Sequence, residues 1–214
     1  MTTWENAASK LKSVYALGLL ILLVGIAPAH PAAAGDASGF IAGLGSQAIH
    51  IMKDAELSAA DRQQRFGALM NENFDLPKIA RIVLGRYWQG TSDIERQQFT
   101  NAFADYTARI YSTRFADYSA ESFRVIKQHA ESETTTVVST EITRLATEQS
   151  INVDWSVEKT PAGYKVTDIS AGGASLARAQ REEFSSAVQR SGGSVSNLIQ
   201  QLRTKVTALA ASAH

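Results

Sequence analysis

The sequence contains no cysteine. That excludes disulfides and a lipoprotein cleavage site, and it leaves stability to the packing of a core. Neither sign of charge dominates. There are 21 basic and 21 acidic residues, with no basic block or stripe, which argues against nucleic acid as a partner. Histidine is scarce. Beyond residue 34 only His50, His129 and the terminal His214 occur, none at metal-ligand spacing, so no metal or other cofactor is expected. No P-loop, no G-x-G-x-x-G after a strand and no G-x-S-x-G elbow is present. Internal repeats and low-complexity tracts are also lacking.

Long apolar runs are missing as well, with one short exception. Lys10 and Lys12 precede an uncharged run of fourteen residues, Val14 to Ala27. This is short of the ~20 residues that span a bilayer, but it suits the core of a secretory signal. Pro28 and Pro31 follow, and Ala32-Ala33-Ala34 places small residues where a signal peptidase cuts. The expectation is a cleavable signal peptide over 1–34, cleaved after Ala34, and a single domain over 35–214. Removing 34 of 214 residues leaves 180, with 19 basic and 20 acidic side chains. That length is enough for a sizeable core, and for a cavity within it.

What is present is a change of period. Phe40, Ile41, Leu44, Ala48, Ile51 and Met52 recur at helical spacing. Ser58 with Asp61 reads as the start of a second helix, whose buried stripe is Phe66, Leu69, Met70 and Phe74. Pro77 suits the first turn of a short third helix ending at Gly85. Ser92 to Glu95 is a capping box opening the longest helix. Its stripes are Phe99, Phe103, Tyr106, Ile110 and, rotated from these, Tyr111, Phe115, Tyr118. From Ser122 to Ser170 the pattern is strand-like. Phe123, Val125 and Lys127 alternate with Arg124, Ile126 and Gln128, and Ile151, Val153, Trp155 and Val157 alternate with polar residues. Two further helices follow, one from Ser175 and one after Gly192-Gly193 and Ser194. The expected fold class is α+β: a four-stranded antiparallel twisted sheet packed against a cluster of helices, in the order helices, strands, helices.

Asp154 and Glu158 sit on the polar side of their strand, as expected of a solvated face. Asp168 shares a parity with Tyr164 and Val166. It is either an inward-facing general base or, through a bulge or turn, an ordinary outward acid. The remaining candidates are apolar. Val153, Trp155 and Val157 on the sheet, with Phe99, Phe103, Tyr106 and Ile110 on the long helix, have the same periodicity whether they fill a core or line a hollow one.

The segments IVLGRYW (82–88), ERQQFTNAFADYTARIY (95–111) and DISAGGASLARAQREEFSSAVQRSGGSVSNLIQQLR (168–203) together resemble the MlaC family of periplasmic phospholipid-transport proteins, also called the toluene-tolerance family. The resemblance is carried by Leu84, Gly85, Tyr87, Trp88, Phe99, Phe103, Asp168, Gly173, Ser175, Leu176 and Gly193, in order and spacing. A branch associated with hopanoid-producing bacteria is similar. The resemblance implies a non-enzymatic carrier that shuttles lipid between an outer-membrane lipoprotein–porin complex and an inner-membrane ABC-type transporter, supporting outer-membrane lipid asymmetry. Physical chemistry agrees: a diacyl lipid of ~30 methylenes would cost roughly 20–25 kcal/mol to move bare through water, which an apolar cavity removes. On this basis the expected lining is Leu84, Tyr87, Phe99, Phe103, Tyr106, Val153, Trp155 and Val157, with phospholipid or a hopanoid-related lipid as cargo. Two alternatives stand beside it: an enzyme using Asp168, and an assembly factor presenting Tyr111, Phe115 and Tyr118 to a partner.

Overall fold

The computed structural model describes residues 36–117, 120–144 and 149–211. The expected leader with its cleavage point after Ala34, Tyr118 and His214 lie outside the described residues, as does the side chain of Phe115.

Local capping chemistry delimits the first helices. Helix α1, Ala37–Lys53, starts at Asp36, whose carboxylate accepts from the Gly39 N–H at 2.7 Å. Helix α2, Ala59–Asn73, starts at Ser58, which accepts from the Asp61 N–H at 3.1 Å while its hydroxyl donates to the Asp61 carboxylate at 2.6 Å. Asp75 caps α3, Leu76–Leu84, with Pro77 in its first turn. A single 3₁₀ turn, Gly85–Tyr87, leads on. Ser92 and Glu95 then form the capping box of α4, Asp93–Asp117.

The strands are β1, Ala120–Ala130; β2, Thr135–Arg144; β3, Gln149–Thr160; β4, Gly163–Ala171; and β5, Ala174–Ser175. They form one antiparallel sheet in sequence order, β1-β2-β3-β4-β5. The sheet therefore has five strands and not four. The fifth is two residues long and returns through Gly172-Gly173, whose φ of 58° and 78° suits a tight two-residue hairpin loop. Two residues cannot show a period of two, which is why alternation alone misses this strand.

Helix α5, Leu176–Arg190, is capped by Ser175, and α6, Val195–Ala211, by Ser194, which accepts from the Asn197 N–H at 3.2 Å. Helix α1 lies across β1, β2 and β3, whereas α2, α3 and α5 meet β4. Helices α3, α4, α5 and α6 pack on one another beside the sheet. Ser196 of α6 donates to Glu95 of α4 at 2.7 Å, and this bond, with those from Ser92, holds the Glu95 carboxyl below the usual carboxylate range. Among the described residues no helix is long and apolar enough to cross a membrane.

Candidate functional site

Two bulges decide which side chains face α1. In β1, Val125 lies opposite Thr140 and Lys127 opposite Ser139, so Ile126 is an extra residue and the faces exchange beyond it. The simple alternation expected for β1 therefore fails there. Gln128, not Lys127, shares the inner face with Val125 and accepts from the Ser38 N–H and hydroxyl at the start of α1, at 3.2 and 2.8 Å. In β4, Asp168 pairs with Ser156 and Val166 with Val157, so Thr167 is the extra residue.

The inner face carries Phe123, Val125, Val138, Thr140, Val153, Trp155, Val157, Val166 and Ile169, with Ile142 and Ile151 continuing it by register. Helix α1 lays Phe40, Ile41, Leu44 and Ala48 against this surface. Ile41, Val138, Val157 and Val166 are fully buried, but Phe40, Phe123, Val125, Trp155, Tyr164 and Ile169 are only half-buried. The Trp155 indole N–H donates to Thr140 Oγ1 at 2.9 Å, and Thr140 in turn donates to the Val153 carbonyl at 3.1 Å. Phe123 meets Trp155 edge to face with ring centroids 6.1 Å apart, and Phe40 lies 5.9 Å from Tyr164. Helix α1 can lie so close because residue 45 is glycine. A Cβ there would fall 2.5 Å from two carbons of the Phe123 ring.

The aromatic stripe of α4 goes elsewhere. Phe99 and Phe103 stack at 6.0 Å, and Phe184 of α5 meets both edge-on at 6.2 Å, with Tyr106 also at 6.2 Å from it. Phe99 and Phe184 have no exposed surface at all. Leu84 is buried in α3, and Tyr87 sits half-buried on the 3₁₀ turn under the Arg86 guanidinium. Of the eight expected lining residues, Val153, Trp155 and Val157 therefore share the face under α1. Phe99, Phe103 and Tyr106 converge on Phe184 in a helical core, Leu84 is buried on α3, and Tyr87 is at a turn. Phe184, Phe123 and Gly45 were not among the expected residues. The four-residue spacing of Phe184 and Val188 is the sequence signal that marks the first as helix core.

The polar candidates have structural employment. Asp168 faces away from Trp155, accepts from the Ser175 hydroxyl at 2.5 Å and from the Ile169 and Ala177 N–H groups, and so ties β4 to the start of α5. Asp154 accepts from Ser139 at 2.6 Å, and Glu158 pairs with Lys78. His50 and His129 are exposed. Among the described residues no group of three or more His, Asp or Glu side chains could hold a metal ion. Tyr111 is half-buried and packs with Phe66, Met70 and Ala108. Lys205 of α6 stands 5.9 Å over the Tyr106 ring. Burial pushes its ammonium down to about 8, opposed by Glu183. A groove of about 320 Å³ between α2 and α4 has Gln63, Gln64, Asn71 and Asp105 around Gly67 and Ala108, and it includes none of the eight expected lining residues.

No curated protein matches this sequence. Among solved structures, the fold is similar to that of a phospholipid-binding protein from Ralstonia solanacearum, determined in complex with a phospholipid. The TM-score is 0.71 at 23% identity, covering 82% of this chain and 99% of that one. The family model described as MlaC protein matches residues 44–204, from the middle of α1 into α6. That match takes in the face under α1 and the helical core alike, and the chain belongs to the MlaC family.

Proposed function

We propose that this protein is a periplasmic lipid carrier whose seam between α1 and the inner sheet face receives the acyl chains of a phospholipid. The observation that carries this reading is the state of that seam. Six large apolar side chains lie between two layers of structure, yet none is closed off from solvent. A well-packed interior of this composition would bury them fully. The helical core beside it does so, with Phe99, Phe103 and Phe184 sealed. The protein thus combines a rigid, filled half with a half that has apolar surface to spare. The phospholipid held by the Ralstonia protein of similar fold supports the same reading.

The carrier needs no catalyst. Its task is to replace the hydrocarbon of a bilayer, worth ~0.8 kcal/mol per methylene, and to give the lipid up again. Apolar lining does this without fixing the cargo by many polar contacts, and the headgroup stays in water. Membership of the family supports the wider role: shuttling between an outer-membrane lipoprotein–porin complex and an inner-membrane ABC-type transporter, in support of outer-membrane lipid asymmetry, after removal of a signal peptide ending at Ala34. Within this proposal Trp155 touches the acyl chains, and the buried Val153 and Val157 form the floor beneath it. Leu84, Phe99, Phe103 and Tyr106 belong to the filled helical part beside the seam, and Tyr87 marks its surface turn.

The test is organic extraction of protein purified from the periplasm, followed by lipid mass spectrometry. Co-purifying phospholipid, near one molecule per protein, is expected. A hopanoid in its place would change the cargo, and protein free of any lipid after gentle purification would contradict the carrier reading.

A further inference from the structure

We propose that the Phe123 ring is the stop that limits how much acyl chain the seam under α1 accepts. The inference rests on the carrier reading above and deepens it. The ring lies within the seam itself: an ideal Cβ on Gly45 would approach its Cδ1 and Cε1 to 2.5 Å and its Cζ to 2.7 Å, so α1 is seated directly on it. Its neighbour Trp155 is pinned through the indole N–H to Thr140. Phe123 has no such hydrogen bond; packing under α1 and the edge-to-face contact with Trp155 hold its ring in place. It is also half-buried.

Apolar surface lies on both sides of the ring. Trp155 and Ile169 are cross-strand partners on one side. On the other, Phe123 pairs with Ile142, and Ile142 with Ile151, which is 37% exposed although it shares the inner face. A chain that runs along the seam past Trp155 meets the ring lying between these two apolar stretches. Removing the ring joins them. A methylene passing from a bilayer into the seam gains little, but each one the ring leaves in water weakens retention by about fourfold, until the joined space gives it room.

The experiment offers wild type, Phe123→Ala and Phe123→Leu an equimolar mixture of synthetic phosphatidylglycerols differing only in acyl-chain length, in vesicles, and reads the bound species by native mass spectrometry. Wild type is expected to take chains up to one length in proportion to their share of the vesicles and to fall off beyond it. Beyond that length wild type loses about fourfold per methylene, whereas in Phe123→Ala the fall begins at a longer chain and in Phe123→Leu at an intermediate one. The leucine variant keeps most of the apolar volume and carries the test if the alanine variant does not fold. Identical length profiles in all three proteins, each loaded with lipid, would overturn the assignment of Phe123 and leave the carrier reading standing. Wild type that takes up none of the phosphatidylglycerols would overturn both.

Discussion

Gly45 and Phe123 form a pair whose two members only make sense together. A methyl group at residue 45 would occupy space that the ring already fills. Gly45→Ala should therefore destabilise the protein by ~1–3 kcal/mol, even though alanine is the better helix former by about 1 kcal/mol. In a Phe123→Ala background the same substitution should be neutral or stabilising, because the obstruction is gone and the helix propensity remains. Urea unfolding of the four proteins of this cycle measures the coupling directly. Asp168 is a second residue whose role follows from its partners. Both of its oxygens are used where β4 meets α5. Asp168→Ala is expected to lower stability by ~1–2 kcal/mol through the lost cap while leaving the lipid content of the folded protein unchanged. A variant as stable as wild type but unable to hold lipid would assign this carboxylate a direct role in binding instead.

Among the elements, the helical core and the α1–sheet seam should respond differently to the same kind of change. Phe184 is sealed among three aromatic neighbours, so Phe184→Ala should cost ~3–5 kcal/mol. Trp155 is half-buried at the seam, so Trp155→Phe should cost little stability but weaken lipid retention. Thermal unfolding read beside lipid content separates the two. Lys205, on α6 above Tyr106, gives the helical core a pH signature. Its folded pKa, about 8, is below the ordinary lysine value of 10.5, so the folded state disfavours the charged form. Stability gains nothing from this group below the folded value and rises as pH increases from there towards the unfolded one. Solvent screening of a half-exposed amine keeps the gain small. Lys205→Met should remove that rise and be the more stable protein at neutral pH.

Much of this was legible from residue order. The caps at Ser58, Ser92 and Ser194 and the proline at 77 mark helix starts by local hydrogen-bond chemistry, which needs no tertiary information. The apolar stripes identify what is buried. They do not say against what. Phe99 and Phe103 look equally suited to a sheet or to another helix, and it is Phe184, eighty residues on, that meets them. Face assignment on the strands was legible only up to each bulge. One extra residue at Ile126 exchanges the roles of Lys127 and Gln128, and one at Thr167 turns Asp168 outward. Such insertions are set by pairing across the sheet and leave no periodic trace in a single strand.

For the molecule as a whole, a filled helical half beside a seam with accessible apolar surface is the arrangement a lipid carrier requires, since one half keeps the shape while the other accepts a guest. The central claim is that acyl chains lie in the seam, and Trp155 is placed to report it. In protein prepared without residues 1–34, which hold Trp4, replacing Trp88 by phenylalanine leaves Trp155 as the single indole. Loading that protein with a phospholipid brominated along its acyl chains should strongly quench Trp155 fluorescence. The same lipid brominated only in its headgroup should quench it little. Undiminished Trp155 emission from protein shown by native mass spectrometry to be fully loaded with the chain-brominated lipid would contradict the account.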